Sequence, residues 1–282
     1  MNKVGFVGGG KMAEAIIAEL IHSRVLAPRE IVVSDVSEER RRLLVHLSGV
    51  TILADNPPLL RLCQVVFLAV KPQNLDAVLR EIAGDVTPDH LVISIAAGKR
   101  IQSIESLLPS GRVIRVMPNL AAVISEGMSV FTLGTRATAE DRRTAARLLS
   151  CLGQVLELPE PHFDAVTALS GSGPAFFAHF MQLVADAGAQ LGLPRNDALL
   201  LAKQTMLGTA LLLTRGKMSP EDLIKAVSSE KGTTVAGMTV LRSSPIAAIV
   251  AETLAAAARR SEELSQPQAD SWGESSRAPC AR

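Results

Sequence analysis

Hydrophobic and polar positions divide the chain into two unlike halves near residue 158. In the first half, short unbroken apolar runs alternate with helical segments. The runs at 3–7, 31–34, 50–53, 65–70, 91–95 and 113–116 are rich in Val and Ile. They lack the polar alternation of a half-exposed strand, as expected of strands buried on both faces of a parallel sheet. Helix candidates lie between them at 11–23, 38–48, 73–83 and 101–107. Ser37 followed by Glu38 and Glu39 supplies a cap and then acids facing the helix dipole. Two further strands, 128–133 and 155–158, flank a helix at 139–152 that Thr138 caps with Asp141 three residues on. This rhythm predicts a Rossmann-like α/β domain, a doubly wound and mostly parallel sheet.

After Pro159 the strand-like runs stop. Ala/Leu-rich helical segments follow at 173–191, 196–215, 220–227, 233–241 and 245–264. Gly192 and Pro194 mark a stop, and Ser219, Pro220, Glu221 and Asp222 mark a start. The expected organisation is a sheet domain over 1–158, an all-α domain over 159–265 and a disordered tail over 266–282. Small residues, among them Ala185, Ala187, Gly188, Ala189 and the alanines at 255–258, let helices approach closely. They serve either packing within the chain or, as the preferred reading, a subunit interface.

Composition narrows the function classes. Of 282 residues, 48% are hydrophobic and 20% charged, and the net charge is +1, so a sizeable core is expected and a nucleic-acid binder is not. Aromatics make up 3% and Tyr is absent, leaving Ala, Leu and Val to fill the core. Cys63, Cys151 and Cys280 are too far apart for a zinc site or a disulfide framework, and the first two read as inert core thiols. No His/Cys/Asp/Glu group has metal-ligand spacing. A first strand at Lys3 leaves no room for a signal peptide, and the apolar stretch 246–258 is broken by Glu252 and too short to span a bilayer. The expectation is a cytoplasmic protein without a membrane partner.

The stretch VGFVGGGKMAEAI (4–16) carries the sharpest chemical signal. Gly8, Gly10 and Ala13 fit G-x-G-x-x-A between a first strand and a first helix, the dinucleotide-binding fingerprint. The first glycine permits the tight turn, the second lets backbone approach a pyrophosphate, and Ala13 lets the helix lie close to the sheet. The helix N-terminus offers free N–H groups to the phosphates. Asp35 ends the second strand, where an acid hydrogen-bonds an adenosine ribose and favours NAD. Arg40, Arg41 and Arg42 either meet a 2′-phosphate or form a solvated helix face, and Ser34 and Ser37 also suit a phosphate. The choice between NADH and NADPH stays open, leaning to NAD.

Other motifs follow at strand ends: FLAVKPQ (67–73), SIAAG (94–98) and RVMPNLAA (115–122), then SGSGPAF (170–176) and KGTTVAGM (231–238). This set, in this order from about residue 3 to 265, resembles the pyrroline-5-carboxylate reductase family, whose reaction is the last step of proline biosynthesis. The resemblance implies NAD(P)H-dependent reduction of 1-pyrroline-5-carboxylate, a cyclic imine bearing a carboxylate. It implies that Gly8, Gly10, Lys11, Met12 and Ala13 form the pyrophosphate loop and that Asn56 contacts the adenosine side, as Ser34 and Asp35 do. Val70, Lys71 and Pro72 would line the nicotinamide ribose, and Ala96, Ala97, Met117, Pro118 and Asn119 the nicotinamide. The helical domain would form an interlocked homodimer, often built into rings, whose loop at Gly232, Thr233 and Thr234 closes over the substrate. Thr234 would be the hydroxyl nearest the substrate nitrogen, in the role of a catalytic residue.

The chain departs from the family at Lys231, where a glycine is usual, and at Glu230, often a proline. If position 231 needs a positive φ, lysine there carries a steric cost; alternatively it adds a cation near the substrate carboxylate. Thr233 and Thr234 also suit helix capping. His179 reads as a packed or interface histidine and Lys203 as a solvated charge. Two other functions stay open: a reductase of another small imine or carbonyl acid, and a non-catalytic dinucleotide sensor.

Overall fold

The structure is a computed structural model that describes residues 3–266. Cys280 and all of the expected tail beyond Gln266 lie outside the described residues. The strands are β1 (Lys3–Val7), β2 (Ile31–Ser34), β3 (Thr51–Leu53), β4 (Cys63–Leu68), β5 (Leu91–Ser94), β6 (Arg112–Met117), β7 (Gly127–Leu133) and β8 (Gly153–Glu157). They form one sheet in the order β3-β2-β1-β4-β5-β6-β7-β8. Every pairing is parallel except β6 with β7. The chain order therefore reverses between β1 and β4, the position where open α/β sheets bind ligands.

Helices cover both faces. One core layer gathers Phe6, Ile16, Ile17, Leu20 and Leu44, with Leu148 and Leu149, under α1 (Lys11–His22), α2 (Glu38–Ser48) and α6 (Ala139–Leu149). The other gathers Leu59, Leu60, Leu75, Leu79, Ile82 and Ile104 under α3 (Pro57–Leu62), α4 (Pro72–Ile82) and α5 (Ile101–Leu107). Phe6 and Phe67 stack across β1 and β4 with ring centroids 4.7 Å apart. Full burial on both faces explains why these strands are continuous apolar runs.

Three elements differ from the sequence expectation. Helix α3 falls in a stretch to which the sequence reading assigned no element, and two prolines occupy its first positions, where a missing N–H does no harm. The helix expected over 139–152 ends at Leu149 and tightens to a 3-10 turn, Ser150–Leu152, before Gly153 at φ +130°. A π turn, Thr167–Gly171, separates the short α7 (Phe163–Val166) from α8 (Gly173–Gln190).

The remaining helices are α9 (Arg195–Thr214), α10 (Pro220–Ala226), α11 (Thr233–Ser243) and α12 (Ile246–Ser265). Helices α8 and α9 pack side by side, and α12 lies on α7 and the π turn. Burial here is sparse: α9 buries only Ala198, and α10 and α11 bury no residue. An apolar groove of about 670 Å³ between α8 and α9 is lined by Phe177, Phe180, Met181, Leu201, Met206 and Leu213. Phe177 is 60% exposed and Leu201 54%, so this face is unfinished in a single chain. No single helix among the described residues is long and apolar enough to cross a membrane.

Candidate functional site

The site begins where β1 ends. Gly8 takes φ +95°, and a Cβ there would lie 2.9 Å from both Ala69 O and Val70 Cγ1. Glycine is required because the turn is left-handed and backbone from β4 crosses close by. Gly8 N–H donates to Ser34 O at 2.8 Å, tying the turn to β2. Gly10, by contrast, sits at φ −67°, ψ 178°, and a Cβ there meets nothing within 4 Å. Its missing side chain leaves open space at the N-terminus of α1, where no side chain caps the first turn. That vacant concavity with uncapped N–H groups fits an anionic diphosphate. Lys11 is exposed at the rim, Met12 half-buried and Ala13 buried against the sheet.

Side chains from β2 and α2 brace this turn. Asp35 Oδ2 accepts from Gly9 N–H at 2.7 Å, and its Oδ1 accepts from Ser37 N–H at 2.8 Å. Both carboxylate oxygens thus accept from the protein's own backbone, one bond each, and each keeps a further lone pair. Arg40 donates through Nε and Nη2 to Gly9 O at 3.0 and 2.6 Å and pairs with Glu14 at 2.8 Å. Arg41 donates through Nη1 to Asp35 O and Val36 O at 2.6 and 3.0 Å. Arg42 pairs with Glu38 on the exposed face. The arginine triplet is therefore a solvated face at Arg42 alone. Ser34 is fully buried and donates to Asn56 Oδ1 at 2.7 Å, while Asn56 Nδ2 donates to Glu81 at 2.9 Å. Ser34 faces Asn56 rather than open space.

The ends of β4, β5 and β6 line the other side of the crevice. Ala69 N–H donates to Val7 O at 2.8 Å and Ile95 N–H to Leu68 O at 3.1 Å, which sets the ends of β1, β4 and β5 in step. Val70 is half-buried, Lys71 is the exposed N-cap of α4, and Pro72 is its first residue. Ala96 and Pro118 are buried, and Ala97 and Met117 half-buried. Asn119 is fixed at both ends: its Oδ1 accepts from Met128 N–H at 3.1 Å, and its Nδ2 donates to Ser170 Oγ at 3.3 Å. Ser170 sits in the π turn, whose Gly171 leaves room for Met117; a Cβ there would lie 2.5 Å from Met117 Cε.

Two features escaped the sequence reading. The SGSG motif was quoted without a role, and it abuts Met117 and Asn119. Arg115, only 3% exposed, bonds Glu160 Oε1 at 2.9 Å and lies 4.6 Å from the centroid of Phe163. Glu160 also accepts from Ile101 N–H at 2.8 Å. This buried junction ties β6 and α5 to the start of the helical half. Its signal was a charge, Arg115, set between the apolar residues Ile114 and Val116 inside the strand RVIRVM.

The substrate loop lies elsewhere in the chain. Gly232 is the N-cap of α11, Thr233 is exposed and Thr234 half-buried, and no side chain caps the helix. Lys231 adopts φ +56°, the left-handed geometry for which glycine is suited. Helix α11 has no extended packing against any strand of the sheet. His179 and Lys203 are exposed on α8 and α9, and His179 is not packed within the chain. Cys63 is buried, and burial pushes its thiol up to about 12. Burial also raises that of half-buried Cys151. Among the described residues no group of His, Cys, Asp and Glu could hold a metal ion.

Known proteins share this arrangement. Residues 160–264 match the family described as pyrroline-5-carboxylate reductase dimerisation, and residues 3–98 match NADP oxidoreductase, coenzyme F420-dependent. A pyrroline-5-carboxylate reductase of Methanosarcina acetivorans is 40% identical over 264 residues, 93% of this chain and 98% of that protein. One from Synechocystis is 41% identical over 262 residues, again 93% and 98%. The solved structure of a pyrroline-5-carboxylate reductase from Coxiella burnetii has a TM-score of 0.90 at 31% identity, covering 94% of this chain and 99% of that one.

Proposed function

The chain belongs to the pyrroline-5-carboxylate reductase family, and on that premise we propose that the turn from Gly8 to Ala13 holds the diphosphate of the reduced nicotinamide dinucleotide. The reaction is NAD(P)H-dependent reduction of 1-pyrroline-5-carboxylate to L-proline. The observation that carries the site assignment is the empty space over Gly10, at an uncapped helix N-terminus and at the reversal of strand order.

A bound NAD(P)H supplies the hydride. The residues of this chain bind, orient and exclude water. Lys11, Met12 and Ala13 present the first-turn N–H groups to the diphosphate. Asn56, oriented by Ser34, meets the adenosine side, with Asp35 shaping the turn beneath it. Val70, Lys71 and Pro72 flank the nicotinamide ribose. Ala96, Ala97, Met117, Pro118 and Asn119 wall the ring and leave one face toward the substrate. A protonated imine accepts hydride readily, so the protein needs only a hydrogen-bonding partner for its nitrogen, and Thr234 Oγ1 takes that part. Gly232 and Thr233 hold the carboxylate through backbone N–H groups and a hydroxyl at the N-terminus of α11.

Because α11 has no extended packing against the sheet, we assign the dimer the part of bringing the Gly232–Thr234 loop to the crevice. The dimerisation region and the bare α8–α9 groove support this assembly. Exposed Ile249 and Val250 on α12 offer a further apolar surface for a ring of dimers. We divide the chain into a dinucleotide domain over 1–158 and a helical domain over 159–265, since the last sheet bond is Leu158 N–H to Phe131 O. Among the described residues no single helix is long and apolar enough to cross a membrane, and with the small net charge this supports a protein without membrane or nucleic-acid partners. The unpaired Cys63 and Cys151 support a reducing, cytoplasmic setting. The test is stoichiometric consumption of NADPH or NADH with 1-pyrroline-5-carboxylate and recovery of L-proline. Cofactor binding without turnover on this imine would overturn the substrate assignment.

A further inference from the structure

Residues 98–101 follow Ala96 and Ala97 out of β5, and each is tied to another element. Gly98 takes φ +69°, and its bare Cα lets α12 come so near that a Cβ there would lie 3.1 Å from Leu264 Cβ and 3.2 Å from Leu264 O. Lys99 Nζ donates to both oxygens of Asp76 on α4 at 2.8 and 2.9 Å. Arg100 donates through Nε to Ser265 Oγ at 3.3 Å, and its Nη2 lies 4.0 Å from Asp164 Oδ2. Ile101 N–H donates to Glu160 Oε1 at 2.8 Å. Three of these four anchors come from the helical half. Behind them Ser261, on α12 and only 4% exposed, donates to the other oxygen of Asp164, Oδ1, at 2.7 Å. A short bond from a buried hydroxyl to a carboxylate is strong and fixes both partners. The same helix lies on α7 and the π turn, and Ser170 of that turn accepts from Asn119. Helix α12 thus backs both sides of the proposed nicotinamide wall, Ala96–Ala97 through Gly98 and Arg100, and Met117–Asn119 through the π turn.

We propose that Ser261 and Asp164 are positioning residues for hydride transfer: through Arg100 and the Leu264–Gly98 contact they hold the turn at 96–98 in place against the nicotinamide. The inference rests on Ala96 and Ala97 walling that ring, and it names the groups in the helical half that keep the wall in register.

The test compares full-length wild type with Ser261→Ala and Arg100→Gln, which act on the same carboxylate from its buried and its exposed side. Protein loaded with NADPH is mixed with 1-pyrroline-5-carboxylate, and a single turnover is followed at 340 nm. A misplacement of about 1 Å at the reacting atoms costs about 100-fold in rate, so Ser261→Ala should slow this step roughly 10- to 100-fold. Arg100→Gln should slow it less, and the double variant should fall short of the product of the two losses, since both act through Asp164. NADPH affinity, read by nicotinamide fluorescence, should stay within about 3-fold, because the diphosphate turn is a separate site. The deuterium isotope effect on steady-state turnover should rise as hydride transfer becomes slower than product release. Amide exchange at 96–98 should quicken in Ser261→Ala without substrate present. An unchanged single-turnover rate in both variants would overturn the inference. So would a loss of NADPH affinity equal to the loss of rate, the mark of general loosening. Either result leaves wild-type turnover intact, which separates failure here from failure of the site reading. A wild type that binds no NADPH would defeat that reading, and the inference falls with it.

Discussion

Gly10 separates the needs of the fold from those of the ligand. Its backbone, at φ −67° and ψ 178°, is a conformation any residue adopts, and a Cβ there meets no protein atom within 4 Å. Gly10→Ala should therefore leave the fold intact, or stabilise it by about 0.4–1 kcal/mol by restricting the unfolded chain. In the proposed site the diphosphate fills the same space. Gly10→Val would push the ligand off the first-turn N–H groups, and each hydrogen bond to a charged acceptor is worth about 1.5–3 kcal/mol. Loss of one such bond predicts roughly 10- to 150-fold weaker cofactor binding, with valine worse than alanine. Gly8→Ala is the contrasting control. At φ +95° and 2.9 Å from Ala69 O it should destabilise the fold itself, by about 1–3 kcal/mol. Thermal melts without cofactor, paired with NADPH titrations, read the two quantities separately. Wild-type affinity in Gly10→Val would refute the loop assignment. A melting temperature depressed as far as that of Gly8→Ala would refute the claim that the space is vacant.

Four other expectations follow from particular residues. Lys231→Gly relieves a left-handed lysine and should raise stability by about 1 kcal/mol, or about 2–4 °C in Tm; an unchanged or lower Tm would deny strain at that position. Glu160→Ala leaves Arg115 buried without its carboxylate and should cost about 3 kcal/mol in urea unfolding, whereas a loss below about 1 kcal/mol would mean that the junction is not held by this pair. Thr234→Val should lower turnover roughly 10- to 150-fold while NADPH affinity stays within about 3-fold, and a normal rate would remove Thr234 from the site. Cys63 has its thiol raised from 9.0 to about 12 by burial, so the folded state holds that proton longer than the unfolded chain. The stability it contributes is intact below pH 9 and falls as pH rises from 9 toward 12. Cys63→Ala should flatten that alkaline decline in a pH series of urea midpoints, and an unaltered slope would contradict it.

The strands were legible in sequence because burial on both faces writes itself as unbroken Val/Ile runs. The glycine turn was legible because Gly8, Gly10 and Ala13 follow a spacing known for dinucleotide-binding turns. What was not legible arises from contacts between distant segments. Helix α3 hid behind Pro57 and Pro58 and is too short for a periodic pattern; burial of Leu59 and Leu60 reveals it. The π turn at Thr167–Gly171 rests on a bond from Ser172 N–H to Thr167 O that has no periodic signature. Asp35 stands at the position expected of a ribose ligand, and its bonds to the Gly9 and Ser37 N–H groups, which brace the turn, have no signature in the sequence. Ser34 similarly looked available for phosphate and is sealed behind Asn56. The positive φ at Lys231 was readable as a question, from a lysine standing where the family usually has glycine, and the backbone answers it.

The central claim is that hydride passes directly from the cofactor to the imine carbon inside this crevice. The most direct measurement is turnover of 1-pyrroline-5-carboxylate with NADPH deuterated at the transferable position of the nicotinamide. The account predicts one deuterium per L-proline, on the ring carbon that carried the imine. Proline without that label, or consumption of NADPH without proline, would contradict it.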